Sequence, residues 1–313
     1  MSGVLRVGVV GLGVMGRAHL RVLRSLAGVE VVAVADVAPG ALVGVGPATT
    51  YDDPLALVGS ADVDAVLVAS SDATHAELVL ACLERGLPVL CEKPLTTSVR
   101  DTMAILAAES VSGRRLVQVG FMRRFDPAFA AVHDAVRAGA VGAPAVIHTV
   151  HRNPVSSYPF TPAVLVTSSA SHDVDLVRWI TGEEIALVSA TPAPAPDVRF
   201  ASVLLRLTTT GGVLASTELT YGPSCAYDVR CEVVGRTGSV ATPPDEGGDG
   251  AWVHRFDEAY RRQDAAWVAS VRGDPVGAGV LDGLANAVVL AGAEQSLATG
   301  QPVSVGPVPQ RPV

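Results

Sequence analysis

Lys93 is the only lysine in a chain whose lysine and arginine together number 23. Arginine has taken the place of lysine wherever a generic cation suffices. It cannot do so where a compact ammonium must share or release a proton. The retained lysine lies in Cys91-Glu92-Lys93-Pro94, directly after the apolar run Leu87 to Leu90, and is a candidate for proton chemistry. A second chemical signal stands near the start, Gly11-Leu12-Gly13-Val14-Met15-Gly16. In this G-x-G-x-x-G spacing the first glycine allows a tight turn. The second lets the backbone approach a pyrophosphate, and the third lets a helix pack on a strand. Asp36 follows, 20 residues beyond Gly16. An acid there accepts hydrogen bonds from the ribose hydroxyls of NAD and repels the extra phosphate of NADP. Val37 and Ala38 come next, so no arginine adjoins it to welcome that phosphate.

These residues need a scaffold, and hydrophobic periodicity supplies one. Leu5 to Val10 predicts a buried strand and Arg17 to Leu26 a helix, with the glycines between them. The alternation continues through a strand at 30–35, a helix at 53–59, strands at 65–69, 88–91 and 116–120, and helices at 74–85 and 98–108. Apolar strands separated by helices predict a doubly wound parallel Rossmann sheet, whose ligand edge lies at the strand C-termini. Gly11, Gly13, Val14, Met15, Gly16, Asp36, Val37, Ser70, His75, Glu92 and Lys93 fall at that edge and are the candidate cofactor contacts. After residue 121 the pattern changes. A helix at 127–137 precedes strands at 145–151 and 185–191, and a long hairpin at 199–208 and 213–221 turns at Gly211-Gly212. Strands at 227–234 and 238–241 and helices at 258–272 and 281–299 complete an α+β domain with a large, mostly antiparallel sheet. The expected division is therefore an NAD-binding domain over 1–121 and a substrate-binding and oligomerisation domain over 122–313.

The bulk composition narrows the partners. A net charge of −8 argues against nucleic acid or an anionic membrane surface. No run approaches the ~20 apolar residues of a membrane span, and no signal-peptide pattern opens the chain. Cys82, Cys91, Cys225 and Cys231 form no C-x-x-C pair, which suits unpaired thiols in a reducing cytoplasm. No cluster has metal-ligand spacing, so no metal is expected. On the hairpin, Val203, Leu205 and Leu207 alternate with Leu204, Arg206 and Thr208, leaving one face partly apolar.

Taken together, Gly11 to Gly16, Asp36, Glu92-Lys93-Pro94-Leu95 and Gly120-Phe121-Met122-Arg123-Arg124-Phe125-Asp126 resemble the glucose–fructose oxidoreductase and inositol dehydrogenase family. The likeness continues through His151-Arg152-Asn153-Pro154, the segment His172 to Trp179, Tyr227 to Gly235, and Asp282-Gly283. It spans nearly the whole chain and is most specific toward inositol dehydrogenases. It implies hydride transfer between NAD and a secondary alcohol or ketone of a cyclitol or pyranose, with an open sheet face packed against another subunit in a homodimer or homotetramer. It also implies that His172 is the acid/base, while Arg123, His151 and Tyr227 contact the polyol; Lys93 is the expected catalytic partner, and Lys93, Ser168 and Asp175 are further candidate substrate contacts. A histidine opening a helix is more often a cap, and only the motif favours catalysis. Asp175, one turn along, could orient the substrate or the imidazole, or be an exposed helix acid; Arg124 is expected to be structural.

One position departs from the pattern. Inositol dehydrogenases carry an aspartate four residues before the histidine, and here that residue is Ser168. A serine brings a hydrogen bond but no charge. The expectation is a substrate other than ordinary myo-inositol, or a reductase acting on a keto-sugar. An NAD-assisted glycoside hydrolase and a non-catalytic NAD-sensing regulator are the competing readings.

Overall fold

A computed structural model describes residues 3–154, 161–194, 199–223, 225–244 and 252–308. Two compact units emerge. The first runs to Met122 and also takes in the late stretch Tyr260–Leu284; the second comprises Arg123–Ala259 and Ala285–Val308. The late helices, assigned from sequence to the second domain, are thus shared out between the units. Trp267 explains this for the first: it is buried in one core with Leu5, Val7, Leu23, Val34 and Leu67.

In the first unit the chain runs β1 (Leu5–Val10), α1 (Val14–Ser25), β2 (Val29–Ala35), β3 (Thr49–Tyr51), α2 (Pro54–Gly59), β4 (Ala65–Val68), α3 (His75–Glu84), β5 (Val89–Glu92), α4 (Val99–Val111) and β6 (Val117–Gly120). The strands form a parallel sheet in the order β3-β2-β1-β4-β5-β6. The order reverses direction between β1 and β4, the switch point where such sheets bind ligands. Every residue of β4, β5 and β6 is buried, as strands covered on both faces require. Helix α1 starts at Val14, three residues earlier than its apolar pattern predicts, directly on the glycine turn. Edge strand β3 is absent from the sequence reading, because its three residues have no buried side chain to impose a period.

The chain continues with α5 (Pro127–Arg137), β7 (Pro144–Asn153), α6 (Pro162–Val164), α7 (Ala170–Thr181), β8 (Ile185–Pro192), β9 (Ala201–Thr209), β10 (Leu214–Tyr221), β11 (Asp228–Gly235), β12 (Ser239–Ala241), α8 (Trp252–Arg255), α9 (Asp257–Val271), α10 (Val280–Thr299) and β13 (Val303–Ser304). All of these belong to the second unit except α9 from Tyr260 onward and α10 up to Leu284. Helix α5 starts where expected because the Asp126 side chain accepts the N–H groups of Ala128 and Phe129, with Pro127 at the first helical position. The sheet order is β12-β11-β7-β10-β9-β8-β13. It is antiparallel except at its centre, where β7 and β10 run parallel. In β9, Val203, Leu205 and Leu207 are buried while Leu204 is 45% exposed, so the alternation does separate two faces.

Candidate functional site

In the first unit the glycine turn is shaped by close backbone approach. Gly11 has φ of +85°, and a Cβ there would lie 2.5 Å from Ala69 O and Ser70 N. At Gly16 a Cβ would come within 1.7 Å of Gly11 O. Gly13 differs, because a Cβ on it would meet nothing within 4 Å. It caps α1 with no side-chain hydrogen bond to the helix amides. Val14 beside it is exposed and Met15 half-buried. An open helix N-terminus with a bare glycine in front of it suits a pyrophosphate, which the amide groups and the helix dipole both attract. Asp36 borders this turn. Its Oδ2 accepts the Leu12 N–H at 2.7 Å and its Oδ1 the Ala38 N–H at 2.8 Å. A carboxylate has about four acceptor sites, so capacity remains for two ribose hydroxyls. The residues present therefore fit an NAD molecule. Val37 is 75% exposed beyond the acid.

Of the remaining strand-end candidates, Ser70 Oγ shares a 2.7 Å hydrogen bond with Thr74 Oγ1. His75 does not behave as expected of a cofactor contact. It is fully buried, and its ring nitrogens face two main-chain carbonyls, Pro94 O at 2.8 Å and Ser70 O at 3.2 Å. It braces the two loops instead of offering a surface. Glu92 is also buried, with Oε2 accepting the Lys93 N–H at 3.1 Å and Oε1 3.0 Å from His19 Nε2. The Lys93 side chain itself is half-buried. The neighbouring thiols are inert. Burial pushes Cys82 up to about 12 and Cys91 well above the ordinary range, so neither is a nucleophile at neutral pH.

In the second unit, α7 is entered through a π turn, Leu165–Ser169, in which the Ala170 N–H reaches Leu165 O. Such turns are rare and cluster at functional sites. This one carries Ser168, which is 9% exposed, and Ser169, whose Oγ donates to Tyr221 Oη at 2.6 Å. Helix α7 is not amphipathic at its start: each residue from Ala170 to Val177 is buried. Asn286 helps fix it, donating to Ser171 O at 2.7 Å and accepting from Ser171 Oγ at 3.0 Å.

His172 and His151 are each 9% exposed, with ring centroids 6.4 Å apart. Behind them lies a buried charge cluster. Arg123 Nη1 donates to Asp173 Oδ1 at 2.8 Å, and His151 Nδ1 is 3.1 Å from both Arg123 Nη2 and Asp173 Oδ2. Burial alone would raise the Asp173 pKa, but Arg123 and His151 outweigh it and hold the carboxyl below its ordinary value. Protonated, His151 donates to Asp173; neutral, it can accept from Arg123. Either way its ring is oriented. Arg123 is 2% exposed and its guanidinium is paired with Asp173. Asp175 is not the exposed helix acid that was one expectation for it. It is 1% exposed and gripped by Arg124, whose Nε donates to Oδ2 at 2.9 Å while Nη2 donates to Oδ1. Tyr227, half-buried, sits one residue ahead of β11.

Sequence reasoning missed Asp173, Ser169, Tyr221, Asn286, His19 and Asp264. For His19 the signal was its place three residues after Gly16, on the same side of α1. Asp173 adjoined His172, but nothing local chose it over Asp175. The others pair with residues far away in sequence and left no local trace.

A parallel sheet with a glycine turn and a braced acid after β2, followed by a unit built on an open mixed sheet, defines an NAD-binding oxidoreductase. Residues 5–121 match the oxidoreductase family with an NAD-binding Rossmann fold, and residues 129–241 match the GFO/IDH/MocA C-terminal domain. Inositol 2-dehydrogenase 1 of Saccharopolyspora erythraea is 43% identical over 96% of each chain. An inositol 2-dehydrogenase of Rubrobacter xylanophilus is 39% identical over 96% of this chain and 93% of its own. The crystal structure of a myo-inositol dehydrogenase from Lactobacillus casei, in complex with NAD(H) and myo-inositol, superposes with a TM-score of 0.91 at 29% identity, over 98% of both chains. The chain belongs to the GFO/IDH/MocA family of NAD-binding oxidoreductases.

Proposed function

We propose that the protein is an NAD-dependent cyclitol dehydrogenase, acting on an inositol or a close pyranose analogue. The similarity to inositol 2-dehydrogenases along 96% of the chain carries the substrate class. Bound NAD supplies the hydride acceptor, held by the α1 amides at Gly13 to Met15 and by Asp36. His172 takes the hydroxyl proton during oxidation and returns it during reduction, a task suited to an imidazole. The Lys93 ammonium hydrogen-bonds the reacting oxygen and stabilises the negative charge that develops there. His151 and Tyr227 hold other hydroxyls, with the Arg123–Asp173 pair fixing the His151 ring. Ser168 contributes a neutral hydrogen bond where the family pattern has a carboxylate. The preferred substrate is accordingly a stereoisomer or keto form other than ordinary myo-inositol.

We place the protein in a reducing cytoplasm. Its described cysteines are free, and among the described residues no helix is long and apolar enough to cross a membrane. We also assign it to a homo-oligomer through the outer face of the second sheet, where Leu187, Leu204 and Leu214 are exposed. Light scattering of the purified protein tests that point, with a monomer as the refuting result.

The activity is tested by following NADH absorbance while inositols, inososes and hexoses are offered. Turnover with a cyclitol supports the reading. Release of a glycoside leaving group without net NADH, or tight NAD binding with no turnover across the panel, overturns it. The Ser168→Asp variant should shift the ranking of substrates toward myo-inositol. An unchanged ranking removes the role given to Ser168.

A further inference from the structure

Helix α1 carries a feature that phosphate binding does not use. His19, one turn beyond Gly16, is fully buried, and both ring nitrogens face carboxylates. Nδ1 lies 2.8 Å from Asp264 Oδ2 and Nε2 3.0 Å from Glu92 Oε1. The Tyr260 ring stands edge-on at 5.4 Å. Only an imidazolium has two N–H groups to give to two carboxylates. Burial penalises the charged ring, but Asp264 and Glu92 outweigh that penalty and push its pKa up to about 10. The Asp264 carboxyl is raised in turn, because burial costs it more than His19 returns. Glu92 then passes the linkage on, since its second oxygen accepts the Lys93 N–H.

The surroundings make mere adhesion a poor explanation. Leu20 and Leu23 on the same helix and Trp267 nearby already bury apolar surface. A buried ion cluster is often no more stabilising than hydrophobic residues of the same volume. What it adds is geometry, through hydrogen bonds that fix each group in one place.

We propose that His19 and Asp264 are positioning residues for Lys93. Through Glu92 they clamp the main chain of the sole lysine at the end of β5 to the helix whose N-terminus receives the pyrophosphate. The ammonium is thereby held in register with the cofactor. This rests on the role given to Lys93 above, so the test separates the two.

The full-length protein is assayed as Asp264→Asn, Glu92→Gln and Lys93→Met, with kcat, KM and NADH affinity measured on the best inositol substrate. Misplacement of a reacting group by about 1 Å can cost up to ~100-fold in rate. The expected result for Asp264→Asn and Glu92→Gln is a kcat fall in the range of ~10–100-fold, with KM and NADH affinity little changed in Asp264→Asn. In Asp264→Asn, kcat should also decline at lower alkaline pH than in the parent, because His19 gives up its proton more readily. Unaltered kcat and pH profile with only a lower melting temperature would overturn the proposal while leaving the Lys93 reading intact. Full turnover in Lys93→Met would remove that reading, and the proposal with it. Should the variants fail to fold, nitrogen NMR of the unsubstituted protein decides: His19 must be doubly protonated at about pH 8, above the usual histidine range, and a neutral ring there refutes the clamp.

Discussion

Replacing Asp36 by alanine removes a carboxylate whose oxygens are fixed by two main-chain amides, Leu12 N–H at 2.7 Å and Ala38 N–H at 2.8 Å. The amides aim the acid and leave acceptor sites for a ribose. A hydrogen bond to a charged group is worth about 1.5–3 kcal/mol, so NADH affinity should fall roughly 10- to 150-fold. NADPH should respond differently. Its phosphate carries negative charge toward the same acid, and like charges about 4 Å apart repel by roughly 1–4 kcal/mol near a protein surface. Loss of the acid removes this repulsion, so the NADPH constant should hold steady or improve while NADH weakens. Asp36→Asn keeps one acceptor oxygen for the loop and should fall between the parent and the alanine variant. Fluorescence titration of each variant with both nucleotides, together with the ratio of kcat/KM for NAD and NADP, measures the effect. If NADH and NADPH affinities drop by the same factor, Asp36 acts only as a brace for the glycine turn and the ribose assignment is wrong.

Two glycines of the turn should separate folding from binding. Gly16→Ala, with its Cβ 1.7 Å from a carbonyl oxygen, should cost about 3 kcal/mol or more in urea unfolding. Gly13→Ala, in open space, should leave the urea midpoint alone and weaken NADH by crowding the pyrophosphate. Asp173→Asn strands a buried guanidinium and should destabilise by roughly 3–5 kcal/mol, with a loss of kcat/KM as His151 is released. Because the folded pKa of Asp173 lies below its unfolded value, its contribution is present above the ordinary carboxylate range and is lost as pH falls through the depressed value. Acid melting curves of parent and Asp173→Asn should therefore converge at low pH. His19 works in the opposite sense. Its folded pKa is raised from 6.5 to about 10, so its contribution is complete below 6.5 and disappears as pH climbs through about 10. Melting temperatures across that range should fall more in the parent than in Asp264→Asn.

Much of this protein is written locally. The glycine turn, the strands of the parallel sheet and the hairpin turned at Gly211-Gly212 each follow from a short stretch of chain, because apolar period and turn chemistry are properties of neighbouring residues. Lys93 could be singled out for the same reason, from composition and a strand end. The elements without such a signature went unseen. Strand β3 buries no side chain, and the π turn before α7 closes through a main-chain bond from Ala170 N–H to Leu165 O that no residue type announces. The parallel contact of β7 with β10 joins strands with two others between them in sequence. Above all, the sequence singled out Arg123, Arg124 and Asp175 but not how they pair, and it gave no sign of the His19–Asp264 pair. Arg123 took Asp173 and Arg124 took Asp175, some 50 residues away, and His19 took Asp264 across 245. A charge buried on folding must find its counter-charge among whatever the fold desolvates beside it. That choice belongs to the tertiary structure, because in the extended chain every one of these groups is equally well served by water.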